Sequence, residues 1–291
     1  ISKSTIDESL KNTRFIPKVI EYDRHQPEFY EDTITYINKR TSDKKIIKGA
    51  EIYNSNKLLI DRVEKEFNVN KELLLSLMGI ETNFGNYLGK MDIISSLATL
   101  SYDKRRSAFF TNELITLLQL INIKVIDYKI LFGSWAGAFG NFQFMPTTIK
   151  QYAIDYDNNG KIELKKINDS FASAANYINL LGWNKDEPCF YPIELDKNIP
   201  KKYLNTSAKK IKFKKKLKYF KKFIKNTENI NINNNLMSAI VTPDKDIVPD
   251  ANNYYPAYIV FNNYELILKW NRSLRFALAV CTLKEKFDNV L

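Results

Sequence analysis

Histidine and cysteine are nearly absent from this sequence. Among 291 residues there is one histidine, His25, and there are two cysteines, Cys189 and Cys281. A Ser-His-Asp triad, a Cys-His pair or an HExxH zinc site would each have to use His25, which no partner motif accompanies. The cysteines form no CxxC motif and do not build a zinc cluster by themselves. Carboxylates are therefore the natural catalytic candidates.

The sequence alone does not decide whether the two cysteines form a disulfide. They could pair as one disulfide in an oxidising compartment, or both could stay as buried thiols. Cys281 lies in the apolar stretch FALAVCTL, where a free cysteine behaves as a small buried hydrophobe. We therefore favour buried thiols.

Long apolar runs are absent as well. No stretch approaches the ~20 apolar residues that a helix needs to span a bilayer. The first residue is Ile1 rather than Met, which indicates a processed or trimmed product. A secretory signal or a lipid anchor would lie outside this sequence. Hydrophobic residues at 44% and charged residues at 26% are typical of a soluble globular protein.

Glycine is scarce and unevenly placed. Seven of the nine glycines lie between Gly79 and Gly160. Glycine serves turns with positive φ and places where another group approaches the backbone closely. Because turns elsewhere in the chain use Asn, Asp and Pro, the clustering predicts a cleft in this region.

The hydrophobic pattern predicts a mainly α (α+β) protein. Apolar residues recur at three- and four-residue intervals to about residue 185, short β-branched segments follow, and helix returns at the end. We expect four parts, which are an N-terminal helical region at 1–50, a helical core at 51–188, a small strand-containing, lysine-rich insertion at 189–262, and a C-terminal helix at 263–291 that packs back on the core.

Positive charge is concentrated in one segment. Residues 201–225 hold 12 of the 44 basic residues and no acid, which leaves 32 basic and 33 acidic residues elsewhere. The apolar residues Phe213, Leu217, Phe220 and Ile224 recur within it at helical spacing, so we predict a basic amphipathic helix. It could contact an anionic membrane surface or an acidic polymer, or simply coat its own domain with lysines, which is the interpretation we favour. No nucleic-acid-binding motif accompanies the lysines, so we expect no nucleic acid partner.

The strongest catalytic candidate is Glu81, in LLLSLMGIETNFG. It follows an almost unbroken apolar run, in which Leu74, Leu77 and Met78 lie within two helical turns of it. A carboxyl group at the mouth of such a face is partly desolvated, which raises its pKa and keeps a proton available. A protonated carboxylic acid can donate that proton to a glycosidic oxygen. The alternative is a glutamate at a helix end that simply reaches water.

The segment GSWAGAFGNFQFMP, 133–146, interleaves three glycines with four aromatic residues. Aromatic rings suit the apolar faces of sugars, while Ser134, Asn141 and Gln143 can hydrogen-bond sugar hydroxyls and amides. The alternative is a tightly packed core loop, and this segment alone does not decide between the two.

The segment DYDNNGKIE, 155–163, fits the first half of a calcium-binding loop. Its ligands would be Asp155, Asp157, Asn159 and, through its carbonyl oxygen, Lys161. The twelfth position holds Lys166 instead of the usual bidentate glutamate, so the standard loop fails at its end. A later acid, Asp169, could complete the ligand set if the loop is longer. The alternative is a turn rich in Asn and Asp.

Together these segments resemble the membrane-bound lytic murein transglycosylase B family. GIETNFG is similar to the family's G-x-E-T-x-F-G catalytic motif, and GSWAGAFGNFQFMP is similar to its G-S-x-A-G-A-x-G-x-x-Q-F-M-P signature. The loop that begins at 155 and YELILKWNRS near the C-terminus resemble further family segments. The resemblance runs from about residue 25 to FALAV at 276, and the lysine-rich segment departs most from it.

This resemblance implies a lysozyme-like core with helical and small β-rich regions around it. It implies that Glu81 is the lone acid and base, which protonates the bond between N-acetylmuramic acid and N-acetylglucosamine. The same carboxylate would then deprotonate the muramic acid 6-hydroxyl, which closes a 1,6-anhydro ring without water. No cofactor is required for this chemistry. A structural Ca²⁺ would be held by the loop that begins at residue 155, and Asp169 would complete its ligand set.

The resemblance also implies a set of substrate-binding residues. The positions that line the family's cleft are matched here by Ser134, Gln143, Phe144, Tyr177 and Asn271. Arg105 and Arg106 match a pair near the peptide stem, and Tyr36 is a more distant match. Trp270 stands where a tyrosine is common in the family, so a hydroxyl contact is missing there, although the reaction does not depend on it.

The implied function is a monomeric, periplasmic lytic transglycosylase, associated with the outer membrane, that acts on peptidoglycan glycan strands. A lysozyme-type muramidase and an inactive glycan-binding scaffold remain as alternatives. An inverting muramidase needs a second carboxylate to activate water. Asp92 and Asp103 are the nearest acids after Glu81, and nothing in the sequence marks either as that base.

Overall fold

The computed structural model describes residues 1–25 and 31–291. Within these residues the chain divides into two compact units. Unit 1 contains residues 1–25 and 51–180, and unit 2 contains residues 31–50 and 181–291. Residues 26–30, which fall in the predicted N-terminal helical region, lie outside the described residues.

Helices dominate the described chain and the sheets are small, which confirms the predicted mainly α (α+β) class. The helices are α1 (Lys3–Leu10), α2 (Pro17–Arg24), α3 (Thr33–Arg40), α4 (Asp43–Ser55), α5 (Lys57–Phe67), α6 (Lys71–Thr82), α7 (Ile93–Tyr102), α8 (Ser107–Asn122), α9 (Pro146–Tyr152), α10 (Ile167–Leu180), α11 (Leu217–Phe220), α12 (Asn262–Trp270) and α13 (Leu274–Asp288). The strands are β1 (Met91–Asp92), β2 (Phe132–Gly133), β3 (Phe190–Ile193), β4 (Leu204–Asn205), β5 (Lys215–Lys216), β6 (Met237–Val241) and β7 (Ala257–Val260). Among the described helices, none combines the length and the hydropathy of a membrane-spanning segment.

Unit 1 is built around α6, the helix that carries Glu81 in its last turn. Its leucines Leu73, Leu74, Leu75 and Leu77 are fully buried, because a helix that is apolar all round is stable only when other elements cover it. Helices α5 and α10 pack against it, and α7 packs on α8 nearby in the same unit. The apolar run before Glu81 is therefore the centre of the hydrophobic core.

Unit 2 contains a five-stranded sheet. Its strand order is β3-β7-β6-β4, and β5 also pairs with β6. The pairs β3–β7, β6–β7 and β5–β6 are antiparallel, whereas β4 runs parallel to β6. An apolar core that includes Leu217, Phe220, Ile240 and Ile259 packs with this sheet.

Residues 201–225 do not form the predicted amphipathic helix. They form short 3₁₀ turns, the strands β4 and β5, and the four-residue helix α11. The Asn205 side chain accepts a hydrogen bond from the Lys212 backbone N–H (2.7 Å) and donates one to the Lys212 carbonyl (3.1 Å), which closes the loop between β4 and β5. The prediction is wrong because pairing with β6 satisfies this backbone and overrides the local helical spacing.

Cys189 and Cys281 form a disulfide, so the prediction of buried thiols is wrong. Cys189 directly precedes β3, Cys281 lies in α13, and their Cα atoms are 6.1 Å apart. Both residues are buried, as expected, at 5% and 1% exposure. Apolar surroundings alone do not distinguish a thiol from a disulfide, and only the fold reveals that the two residues meet.

The C-terminal helices α12 and α13 belong to unit 2, and the packing of 263–291 back on the helical core stays a prediction. Helix α13 packs on α3 and α12. The Arg275 side chain on α13 donates to the Asp244 carboxylate (2.9 Å), and the same carboxylate accepts the backbone N–H of Thr33 (3.0 Å). This buried network and the disulfide hold α13 in unit 2. Residues 1–25, in contrast, join the helical unit.

Candidate active site

Glu81 lies in the last turn of α6 and is half-buried. The chain then turns sharply, because Asn83 (φ 50°), Phe84 (φ 59°) and Gly85 (φ 80°) all have left-handed backbones. Non-glycine residues hold such conformations only with tertiary support. That support comes from the Phe84 ring, which packs so closely on Gly79 that a Cβ there would lie 2.7 Å from it.

Two hydrogen bonds tie the turn after Glu81 to the 133–146 segment. Thr82 Oγ1 donates to the carbonyl oxygen of Asn141 (2.8 Å), and Gln143 Nε2 donates to the carbonyl oxygen of Leu88 (3.4 Å). Strands β1 and β2 pair antiparallel just beyond them. The end of α6 and the glycine- and aromatic-rich segment therefore lie side by side in unit 1.

The glycines allow the two backbones to approach closely. A Cβ on Gly89 would overlap the carbonyl group of Gly133 and would lie 2.6 Å from the backbone nitrogen of Ser134. Gly89 also has φ +83°, which side chains rarely adopt. Glycine at this position is what lets the segment after Glu81 dock on the segment that carries Ser134.

Gly89→Ala should therefore destabilise the protein by more than its backbone strain alone. Gly182 has φ +94° with open space around its Cβ position, so Gly182→Ala isolates the cost of the left-handed backbone. We expect the free energy of unfolding to fall by about 1 kcal/mol for Gly182→Ala and by about 3 kcal/mol for Gly89→Ala, measured by urea unfolding. Equal effects of the two substitutions would contradict the tight docking.

The aromatic residues of the 133–146 segment divide into two groups. Phe139, Phe142 and Phe144 are buried, so for them the core-loop interpretation holds, whereas Trp135 is half-buried. Phe144, a predicted substrate-binding residue, is only 3% exposed and packs edge-on against Tyr177 at 6.0 Å between ring centroids. Trp135 has more surface to offer a sugar ring than the phenylalanines have.

Tyr177, on α10, is held by rings on both sides. Its ring stacks on Tyr152 at 4.1 Å, and the Phe144 ring meets it edge-on. Burial raises the pKa of Tyr177 to about 12, and Tyr152 adds to the shift in the same direction. The hydroxyl group is therefore uncharged at neutral pH and can donate a hydrogen bond.

Ser134 and Gln143 are both half-buried. Ser134 Oγ accepts the backbone N–H of Ala138 (3.0 Å), which leaves its hydroxyl proton to be donated elsewhere. Gln143 also has a left-handed backbone (φ 50°), and its Nε2 donates to the Gly140 carbonyl (2.9 Å). Both side chains are thus fixed in orientation by the loop that carries them.

Arg105 and Arg106 share a buried carboxylate. Arg105 Nε donates to Asp23 Oδ2 (2.8 Å) and Arg106 donates to Asp23 Oδ1 (3.3 Å), while Asp23 itself is 3% exposed. The arginine side chains remain 45% and 39% exposed. Two guanidinium groups against one carboxylate leave a local excess of positive charge, a feature absent from the sequence interpretation because Asp23 is distant in the chain.

The other two predicted substrate-binding residues belong to unit 2. Tyr36, on α3, is 1% exposed, and the Arg40 guanidinium lies 3.5 Å from its ring centroid. Asn271 follows the last residue of α12 and is half-buried. Tyr36 therefore has almost no surface for a ligand, and its predicted contact is the least supported of the set.

The predicted metal ligands come together around Asp169. One carboxylate oxygen from each of Asp155, Asp157 and Asp169 lies within 4.8 Å of the others. Asp169 is fully buried, and its two oxygens accept backbone N–H groups from Tyr156 (3.0 Å) and Glu163 (2.8 Å), so the loop wraps around it. Oxygen donors of this kind suit a hard cation such as Ca²⁺.

Two further residues define the rest of the loop. Asn159 Oδ1 accepts the backbone N–H of Lys161 (2.9 Å), and Asn159 Nδ2 donates to Glu163 Oε2 (2.9 Å). Lys166, which breaks the standard motif, pairs with the same Glu163 oxygen (2.6 Å), and this bond lowers the pKa of Glu163. The sequence interpretation missed Glu163, although it stands at the ninth position, where such loops often use a ligand.

The fold and this arrangement define a lysozyme-like helical protein with a half-buried glutamate beside a glycine- and aromatic-rich loop. The chain belongs to the transglycosylase SLT domain family, whose family model matches residues 1–285. The resemblance to lytic transglycosylases drawn from the motifs is thereby confirmed.

Individual relatives agree with this assignment. The chain is 35% identical over 155 residues to membrane-bound lytic murein transglycosylase B of Escherichia coli (strain K12), which covers 53% of this chain and 43% of that protein. The match thus spans less than half the length of that relative. Among solved structures, SltB3 from Pseudomonas aeruginosa in complex with NAG-anhNAM-pentapeptide has 28% identity and a TM-score of 0.86, and the match covers 99% of this chain and 75% of that one.

The Escherichia coli lytic transglycosylase Slt35 is similar to the chain in two further structures. In complex with bulgecin A it has 25% identity and a TM-score of 0.82. In complex with calcium it has 25% identity and a TM-score of 0.81. Both matches cover 99% of this chain and 88% of that one.

Proposed function

We propose that the chain is a peptidoglycan lytic transglycosylase. It would cleave the MurNAc-β-1,4-GlcNAc bond without water and leave 1,6-anhydro-MurNAc ends, in cell-wall turnover. The observation that carries this proposal is the position of Glu81, half-buried at the end of a core helix and beside the docked 133–146 segment. Family membership supports it, and so does a relative whose bound ligand contains an anhydro sugar.

In the proposed reaction Glu81 performs both proton transfers. Its carboxyl group gives a proton to the glycosidic oxygen while the bond from that oxygen to C1 of the muramic acid breaks, and the bonding electrons stay with the departing oxygen. The Glu81 carboxylate then takes the proton of the 6-hydroxyl group, whose oxygen attacks C1 and closes the ring. Glu81 ends protonated, so the reaction balances without water.

The other residues of unit 1 would bind and orient the glycan. Ser134 and Tyr177 offer hydrogen-bond donors, Gln143 offers its Oε1 atom as an acceptor because its Nε2 group donates within the loop, and Trp135 offers a ring face. Phe144 would act by holding Tyr177 in place. The exposed guanidinium surface of Arg105 and Arg106 suits the carboxylates of a peptide stem. Direct contacts of Asn271 and Tyr36 stay predictions.

A hydrolytic muramidase is the second candidate, and the two nearest acids after Glu81 in the sequence argue against it. Asp92 Oδ1 accepts the backbone N–H of Ser95 (2.8 Å) and caps α7. Asp103 is paired with Arg24 (2.8 Å). Each carboxylate already has a structural role, so neither is a good base for activating water.

Mass spectrometry of digested sacculi separates the candidates. Anhydro ends identify a transglycosylase, and reducing ends identify a muramidase. If folded protein binds sacculi but gives no products at all, the chain is a glycan-binding scaffold. Either of the last two results would overturn the proposal.

We further propose that the 155 loop binds a structural Ca²⁺. The ion would be held by the carboxylates of Asp155, Asp157 and Asp169, by Asn159 and by the carbonyl oxygen of Lys161. The closeness of three carboxylates supports this, as does a calcium-containing structure of a relative. The ion would neutralise the carboxylates and stabilise the loop, with no part in the chemistry.

Calcium should raise the melting temperature of metal-stripped protein, because an ion that binds only the folded state stabilises it. At a concentration 100 times the dissociation constant, the gain in stability should be about 2.7 kcal/mol. Asp155→Ala should erase the gain, whereas Asp186→Ala, at an exposed aspartate outside the loop, should keep it. A melting temperature unaffected by calcium in the unsubstituted protein would refute the site.

The proposed location is the periplasm, in association with the outer membrane. The disulfide supports an oxidising compartment. Peptidoglycan glycan strands are the proposed partner, and the protein would act as a monomer. The lysine-rich residues 201–225 are proposed to contact an anionic surface there.

A further inference from the structure

Residues 201–225 present their lysines to solvent from an ordered framework. Eleven of the 12 lysines are exposed, while Leu217, Phe220 and Ile224 are buried in the core of unit 2. In the part of the chain that the structure describes, one salt bridge uses a lysine of this segment, between Lys214 and Glu265 (2.6 Å). The positive charge is thus held in place and is largely uncompensated.

Aromatic rings lie among these lysines. Tyr203 contacts the rings of Phe213, Tyr219 and Phe223 at centroid distances of 6.1, 5.7 and 6.4 Å. The tyrosine hydroxyl groups of Tyr203 and Tyr219 are hydrogen-bonded to each other (2.7 Å). We call the lysines of 201–225 and these four rings the basic aromatic surface.

Among the contacts that the structure describes, three of the lysines, Lys202, Lys215 and Lys222, lie over these rings. Lys222 Nζ lies 4.8 Å from the centroid of Tyr219 and 5.0 Å from that of Phe223. Lys202 lies 5.4 Å from the centroid of Tyr203. Charged heads and aromatic rings therefore share one surface, which is the composition of segments that lie in a membrane interface.

Phe213 is the most informative residue of the surface. It is 48% exposed, it has a left-handed backbone (φ 55°), and it stands between Lys212 and Lys214. The helical spacing predicts that Phe213 and Leu217 share one face of a helix, whereas the structure buries Leu217 and leaves Phe213 exposed. A partner that offers only charge would not bury the exposed ring of Phe213. A bilayer would, because the ring can enter the boundary between lipid headgroups and acyl chains.

We propose that the basic aromatic surface docks the protein on an anionic phospholipid bilayer, with the lysines over the headgroups and Phe213 inserted between them. This inference rests on the proposed location outside the cytoplasm. Each lysine near an anionic surface adds to the attraction, and the attraction is screened by salt. A purely charged partner would use the lysines alone, whereas the sugar rings of an anionic polysaccharide could also stack on Phe213. The effect of Phe213 on bilayer binding and on polysaccharide binding therefore distinguishes the partners.

The test is co-sedimentation of the full chain with vesicles. We expect binding to vesicles made of equal parts of phosphatidylcholine and phosphatidylglycerol, and little binding to pure phosphatidylcholine. Binding should weaken strongly between about 0.1 M and about 1 M salt, as the Debye length falls from ~10 to ~3 Å. The triple variant Lys209→Glu, Lys210→Glu, Lys216→Glu should raise the apparent Kd at least about tenfold.

A matched control reverses three exposed lysines elsewhere. Lys3→Glu, Lys11→Glu, Lys44→Glu makes the same change in net charge outside the surface and should leave vesicle binding within about twofold of the unsubstituted protein. Equal losses in the two triple variants would show that only net charge matters, and would overturn the proposal. So would binding that does not require the anionic lipid.

The variant Phe213→Ser tests whether the partner is a bilayer or a soluble polyanion. It should weaken vesicle binding about fivefold or more and leave binding to dextran sulfate, a soluble polyanion, unchanged. If Phe213→Ser changes neither, the surface binds polyanions by charge alone, and the bilayer proposal fails. It also fails if Phe213→Ser weakens binding to dextran sulfate as much as binding to vesicles, because the ring then stacks on sugars. Digestion of sacculi is measured in parallel without vesicles. The surface variants should digest normally, so failure of the docking proposal is distinguishable from failure of the proposed activity.

Discussion

Glu81→Gln is expected to lower the rate at which anhydro-muropeptides are released from purified sacculi by about 10³-fold or more. Glutamine keeps the size of the side chain but neither gives up nor accepts a proton at neutral pH. Each general acid or base step contributes about 10²–10⁴-fold to a rate, and the proposed reaction makes Glu81 responsible for both steps. Release of soluble products, followed by mass spectrometry, measures the effect.

Glu72→Gln is the matched control for this experiment. Glu72 lies in the first turn of the same helix α6, so the substitution makes the same chemical change at the far end from Glu81. It should retain the rate of the unsubstituted protein. Both variants should keep the melting temperature within a few degrees, since neither residue is fully buried. A Glu81→Gln variant that digests sacculi at the normal rate would exclude Glu81 as the acid and base.

The second large effect is expected on stability. Cys189→Ala together with Cys281→Ala opens a link between residues that are 92 positions apart. In the chain-entropy model, releasing a loop of that length costs about 4 to 5 kcal/mol, because the unfolded chain regains the freedom that the link removes. The free energy of unfolding, measured with urea under oxidising conditions, should therefore fall by about 4 to 5 kcal/mol in the double variant.

The chain provides its own control, because it has no other cysteine. A thiol reductant should lower the stability of the unsubstituted protein toward that of the double variant and should not affect the double variant. If reductant has no effect on either protein, the two cysteines are not linked in solution. That result would also remove the main support for an oxidising compartment.

Sequence motifs were most informative where the chemistry is local. The apolar run before Glu81 predicted a desolvated helix end, and α6 is indeed the buried centre of unit 1. The acids of the 155 loop lie within 15 residues, and the structure brings three of them within 4.8 Å of one another. In both cases the residues are close in the chain, so one helix or one loop suffices to place them.

Local patterns failed where distant segments compete. The spacing of Phe213, Leu217 and Phe220 predicted a long helix, but β5 pairs with β6 and the helix shrinks to four residues. The sequence did not decide whether the aromatic residues of 133–146 bind sugar rings or pack in a core loop. The structure buries the phenylalanines and leaves Trp135 half-buried. The spacing of the residues along the chain does not reveal this difference.

By itself, the sequence determined the helical character of the chain, the family and the identity of the lone candidate acid, because these depend on residue types and on spacings of a few positions. Only the tertiary structure decided the partners of distant groups, such as Cys189 with Cys281 and Arg105 with Asp23. It also decided that the turn after Glu81 docks on the 133–146 segment. Such long-range contacts depend on how all the helices and strands pack together, and the same local sequence pattern is compatible with many different sets of contacts.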